Sequence, residues 1–233
     1  MCVVSCFGLV AWAQQASPAT VTFTFDFPGS NPSHYVISVS ADGHGNYTSN
    51  GKLASEAAPR QNSTSDADSD SEPESEAGTN EPFQENFTLS SATRARVFDL
   101  AKNAHYFEGD IELKKKNLAF TGNKTLTFKD GQKSTQATYN YSSLPAVEEL
   151  TAMFQGLSAT MEFVHRLEYD LHYEKLALDE ELKKMEEAAS EGGVSELAAA
   201  APVLQKILND QSIINVSRAR AQRLLARAGT AGK

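Results

Sequence analysis

Glu162, His165 and His172 come nearest in this chain to a metal-binding or catalytic set. Glu-x-x-His is the half-site of a di-iron carboxylate centre, which takes a second copy and two more glutamates from neighbouring helices. Glu162-Phe163-Val164-His165 has no second copy. His172 lies seven residues beyond His165, roughly 10 Å along a helix axis and too far to share an ion. The set therefore reads as a solvated helix face, and no metal site is assigned. Asp66-x-Asp68-x-Asp70 imitates the opening of a calcium loop, but Ser71 stands where the turn needs Gly and Ala77 where the bidentate Glu belongs. Ser49-Asn50-Gly51-Lys52 matches the Ser-x-x-Lys of penicillin-binding enzymes. Their Ser-Asp-Asn and Lys-Thr-Gly partners are missing, and the match follows a hairpin instead of opening a helix. Phosphate-binding and dinucleotide glycine motifs, Gly-x-Ser-x-Gly and His-Glu-x-x-His are absent too. No catalytic or cofactor-binding residue is assigned. The expectation is a non-catalytic chain, the alternative an enzyme whose site is assembled from residues distant in sequence.

Charge narrows the partners. The formal net charge is −9, yet eight carboxylates and only Arg60 lie between Ser55 and Pro82, so seven of those charges belong to one segment. The rest of the chain is near neutral, and nucleic-acid binding by bulk charge is excluded. Arg218, Arg220, Arg223 and Arg227 crowd the last helical stretch. They could meet acidic partners, anionic lipid or the chain's own acidic segment; capping the helix C-terminus is the most economical use.

Residues 3–13 are almost wholly apolar and close on Ala11-Trp12-Ala13 before Gln14. That is the pattern signal peptidase reads, so residues 1–13 are expected to be a signal peptide and the protein to be periplasmic or extracellular. No basic residue precedes the run, which leaves a start upstream of Met1 open. Val3-Val4-Ser5-Cys6 resembles a lipobox, but its apolar run follows the cysteine rather than preceding it. Cys2 and Cys6 would both leave with the signal, removing disulfides and thiolate chemistry from the mature chain. Asn-x-Ser/Thr sequons at Asn46, Asn62, Asn86, Asn123, Asn140 and Asn215 are glycosylation sites only in a eukaryotic host. No later segment approaches 18 apolar residues, so no membrane span is expected.

Hydrophobic periodicity supplies the elements. From Leu144 to Ser190 an apolar stripe runs Leu150, Phe154, Leu157, Met161, Val164, Leu171, Leu178, Leu182 and Met185, with Glu168 and Lys175 in the two missing places. Steps of three and four predict a long amphipathic helix opened by Pro145, with coiled-coil-like spacing and a candidate break where Asp179 could cap a second piece. Val21–Phe27 and Tyr35–Ala41 alternate as half-buried strands, and Asp42-Gly43 turns the second into Asn46-Tyr47-Thr48. Residues 54–82 are Ser, Asp, Glu, Pro and Ala without periodicity and are expected to be disordered. Phe87 and Leu89 mark a strand. Ser90 or Ser91 caps a helix ending near Tyr106-Phe107. Leu118 with Phe120, Leu126 with Phe128, and Ala137 with Tyr139 and Tyr141 predict a three-strand meander turned at Gly122-Asn123 and Asp130-Gly131. After Gly192-Gly193 a helical pair spans 195–209 and 212–228.

Strands in clusters rather than in alternation with helices predict an α+β fold: an antiparallel sheet with helices on one face. The domain is placed at 20–190 and a helical hairpin at 194–229. Tyr35-x-Ile37-x-Val39-x-x-Asp42-Gly43-x-Gly45-x-Tyr47, Phe87-x-Leu89-Ser90, Gly122-x-Lys124-x-Leu126, Tyr139-Asn140-Tyr141 and the helix from Pro145 resemble a group of secreted bacterial α+β domains of unknown function. The resemblance spans roughly Val21 to Glu187 and implies architecture and export, not an activity. The function expected is binding or assembly through the helical face, with a protein partner or a second copy. Two fates are open for the distal stripe from Leu171 to Met185: cover by the chain's own helical pair, or by a second chain in a coiled coil.

Overall fold

The computed structural model describes residues 17–53, 82–131 and 133–231. Residues 1–13, expected to be a signal peptide, and almost all of the acidic segment, with its aspartate triplet, lie outside them. Six strands form one antiparallel sheet: β1 (Thr20–Asp26), β2 (His34–Ser40), β3 (His44–Ser49), β4 (Phe83–Thr88), β5 (Asn123–Asp130) and β6 (Lys133–Tyr139). Their order is β4-β3-β2-β1-β5-β6, so the first strand lies in the interior and pairs with β2 and β5 on its two sides. Alternation decides the faces. Val21, Phe23, Ile37, Val39, Tyr47 and Leu126 are almost completely buried. Thr22, Thr24, Ser38, Thr125 and Thr127 on the opposite face are partly exposed.

Helices cover the buried face. Ser90 caps α1 (Ser91–Asn103), its Oγ accepting the Thr93 N–H at 3.2 Å. The helix ends earlier than its pattern suggests. His105, Tyr106 and Phe107 take positive φ values of 52°, 54° and 65°, a turn disfavoured for side chains with a Cβ, and Phe107 is buried at 1 % exposure. Burial of that ring outweighs local preference. Pro145 opens α2 (Pro145–Tyr173), which lays Val147, Leu150, Phe154, Leu157 and Met161 on the sheet. The rings of Phe154 and Phe23 stack at 5.3 Å.

Two details differ from the sequence pattern. Leu118 and Phe120 do not form a strand and are 37 % and 54 % exposed; β1 is the neighbour β5 finds on that side. Gly122 is not a hairpin turn either. At φ 99° it leads into β5, and a Cβ there would lie 2.7 Å from the Phe25 ring. Asp130-Gly131 does turn β5 into β6, with Gly131 at φ 57°.

The long helical stripe is broken at residues 174–177. There α3 (Leu178–Glu191) begins, N-capped by Ala177 with no side-chain bond, and Asp179 falls inside the first turn. Gly192 in the left-handed region ends α3. The chain then reverses onto α2, where the Ser195 N–H donates to Gly156 O at 3.1 Å and Ser195 Oγ donates to Met153 O at 2.9 Å. A 3-10 turn (Leu197–Ala200), α4 (Ala201–Asn209) and α5 (Asn215–Ala231) follow. They enclose a second core of Leu167, Leu178, Leu182, Met185, Val203, Leu204, Ile207 and Leu224. The distal stripe is thus covered within the chain, each fully buried Leu contributing about 1.5–3 kcal/mol. Glu168 and Lys175, which interrupt the stripe, pair with the cover. Lys206 Nζ lies 3.3 Å from Glu168, and Lys175 Nζ lies 2.7 Å from both Asp210 and Ser212 Oγ.

Candidate functional site

Glu162 is not on a solvated face. It is 8 % exposed and points under the sheet, where Oε1 accepts the Tyr47 hydroxyl and the Ser49 hydroxyl, each at 2.7 Å. The Tyr47 oxygen also lies 3.0 Å from Ser158 Oγ. Burial, then the neighbouring Glu162 charge, pushes the Tyr47 hydroxyl well above its ordinary pKa. Gly51 leaves the space for this carboxylate, since a Cβ there would stand 2.5 Å from Oε2. The cluster is a closed hydrogen-bonded nest joining β3 to the middle of α2.

His165 and His172 part company. The His165 ring stacks on Phe83 at 4.0 Å and 10°, and its Nδ1 is buried without a hydrogen-bond partner. Burial lowers the imidazole pKa, the Arg166 charge adds to this, and Glu162 and Glu168 oppose it. His172 is exposed, edge-on to Tyr173 at 4.4 Å. Among the described residues no three His, Cys, Asp or Glu side chains group as ligands would. Ser49 is buried and donates to Glu162, while Lys52 is exposed and its backbone bonds Asn31.

The arginine run is not a helix cap. Arg220 reaches Asp179 at 2.9 Å and Glu186 at 2.6 Å, and Arg223 holds Glu186 at 2.7 Å. Arg227 reaches Ser190 Oγ at 3.1 Å. Arg220, Arg223 and Arg227 fasten α5 along α3, which supplies Asp179, Glu186 and Ser190 as partners.

A second polar nest surrounds Lys124, 5 % exposed on the inner face of β5. Its ammonium donates to Asn140 O at 2.9 Å, Thr121 Oγ1 at 3.1 Å and Gly122 O at 3.4 Å. The rings of Phe25 and Tyr141 each stand 5.8 Å away. A cavity of about 340 Å³ opens beside it, between β6 and the first turns of α2. Sequence motifs do not reveal this site, but alternation does. The period that sends Leu126 and Phe128 inward sends Lys124 there as well.

The remaining surface feature is the tip of the helical unit. Lys175 ties the α2–α3 corner to the α4–α5 turn, so Tyr173, Leu176, Ile214 and Val216 lie at one end. Their exposures are 68 %, 86 %, 49 % and 54 %. Tyr173 also packs on Tyr169 at 4.9 Å. Asp170 and Glu174 flank Tyr173, and burial, with Glu181 and Glu174 repelling it, pushes the Asp170 carboxyl up to about 6. Arg218 at the same end bonds Asn215. No described helix is long and apolar enough to cross a membrane. Comparison of the chain with protein-family models, curated proteins and solved structures gave no match.

Proposed function

We propose that the protein is an exported, non-catalytic binding protein whose contact surface is the tip of its helical unit. The observation that carries this reading is the exposed apolar group Tyr173, Leu176, Ile214 and Val216, held by the Lys175 ion pair at the end of a packed four-helix unit. Large apolar side chains gathered at one exposed place are interaction-site chemistry, and Tyr is enriched among binding hot spots. The occupant is a protein with an apolar patch edged by Lys and Arg. Asp170 and Glu174 border Tyr173 and already repel each other, so a second copy would add like charges, and an anionic lipid surface would be repelled. Export rests on the apolar run closing at Ala13. N-terminal sequencing of the exported protein should begin at Gln14, and a soluble cytoplasmic protein retaining residues 1–13 would end that part of the reading.

The contact surface is tested by a photo-crosslinking residue at position 176, compared with one at Thr125 on the open sheet face. The expected result is a discrete adduct from position 176 alone, weakened by salt and lost when Tyr173 is changed to Asp, with the free protein sedimenting as a monomer. A salt-insensitive adduct, equal yields from the two positions, or a concentration-dependent dimer would overturn it.

A further inference from the structure

We propose that the cavity over Lys124 is a binding site for a small organic monocarboxylate, separate from the tip. A lysine this buried is ordinarily paired with a carboxylate, because a lone charge taken out of water is costly. Lys124 has only neutral acceptors around its ammonium, and among the described residues no acid forms an ion pair with it. Glu112, the acid whose field reaches it, spends Oε2 on the Asn140 N–H at 2.7 Å. Desolvation lowers the Lys124 pKa, the mark of a charge that its surroundings leave under-compensated. The bond to Gly122 O, at 3.4 Å, is the longest of the three and the one an incoming anion can most readily replace.

The walls set the ligand class. Lys124, Tyr139, Tyr141, Glu148, Ala152 and Gln155 line the space, and the last three are exposed at its mouth along α2. About 340 Å³ is at the small end of ligand sites. Two tyrosine rings suit a flat or short apolar body, and Gln155 offers an amide at the rim. One ammonium can balance a single negative charge, and Glu148 at the mouth disfavours a second. A phosphate, carrying ≈ −1.5 to −2, would leave excess buried charge.

The test is an NMR titration of ¹⁵N-labelled full-length protein with benzoate, acetate and inorganic phosphate. Benzoate should shift the amides around residues 121–124 and 139–142, acetate more weakly, and phosphate least. Lys124→Met should weaken benzoate binding by at least about tenfold, the loss of a charge-assisted hydrogen bond. Ala152→Phe fills the mouth without touching the lysine and should abolish binding, so it decides the matter should Lys124→Met fail to fold. Glu148→Gln should strengthen binding by up to about fivefold by removing a like charge. Absence of shifts with every probe, or benzoate binding unchanged in a folded Lys124→Met or in Ala152→Phe, would overturn the site. Phosphate binding tighter than benzoate would overturn the ligand class.

Discussion

Removing the Glu162 carboxylate should be among the costliest single changes in the chain. Tyr47 and Ser49, exposed at 0 % and 1 %, both donate to the same oxygen at 2.7 Å. A hydrogen bond to a charged acceptor is worth about 1.5–3 kcal/mol. Ser158 remains for Tyr47 at 3.0 Å and partly relieves that loss, whereas the Ser49 hydroxyl keeps only the Gly51 N–H that it accepts at 3.3 Å and loses the acceptor for its own proton. Glu162→Ala should then cost about 3–4 kcal/mol once the vacated space is included. For a domain of this size that lowers Tm by about 10 °C. Glu162→Gln keeps an acceptor and should cost about 1 kcal/mol. The discriminating variant is the triple Glu162→Leu, Tyr47→Phe, Ser49→Ala. Replacing every partner of a buried polar group by apolar groups of similar shape is close to neutral, so it should recover to within about 1 kcal/mol of the native chain. Urea unfolding with matched m-values measures all three. A Glu162→Ala protein within about 0.5 kcal/mol of native, or a triple variant less stable than the single one, would refute the buried-nest reading.

Three more outcomes are expected. His165 is held below its ordinary pKa, so the unfolded chain takes up its proton first and stability is lost as pH falls from about 6.5 toward the lowered value; His165→Phe should erase that loss, checked as the difference in unfolding free energy between the two proteins at pH 7.5 and 5. Asp170 runs the other way: raised to about 6, its charged form is penalised above that pH, so Asp170→Asn should raise Tm at pH 7.5 and leave it unchanged at pH 3.5. Ending the chain after Gly192 uncovers Leu167, Leu178, Leu182 and Met185, and sedimentation should show the truncated protein self-associating where the full chain stays monomeric; a truncated monomer would contradict the packing.

Periodic features were legible because burial leaves a period behind. The sheet face, the Ser90 cap, Pro145 at the start of α2 and the reversal after Gly192 all follow from residues read locally. Leu118 and Phe120 alternate as a strand would, but β1 already occupies the edge of β5 that they would need, and only the topology shows that. Glu162 misleads for a related reason. A charged residue on a helix is solvated by default, and its burial depends on hydroxyls 115 and 113 residues away in sequence, Tyr47 and Ser49. The arginines resemble a cap until their partners on α3 are known, because no spacing along α5 encodes which helix it will lie against. The tip is least legible of all. Tyr173 ends α2 and Leu176 lies in the break before α3, both off the apolar stripe that marks burial elsewhere.

Phe83 touches both cores. It begins β4, packs against the core under the sheet and against the core of the helical unit, and stacks on His165 of α2. Glu196, from the loop before α4, adds a second clasp by accepting both the Ser90 N–H at 3.2 Å and the Ser90 hydroxyl at 3.0 Å. The sheet and the helical unit are therefore joined through the helix they share, by this aromatic stack and cap, and by Ala199 of the 3-10 turn, which packs in the core under the sheet. Because β4 is an edge strand held on one side only, by β3, a charge placed on His165 acts where the join has least redundancy. Acid should accordingly loosen β4 before β1 or β5, in an order that amide exchange along the sheet can resolve.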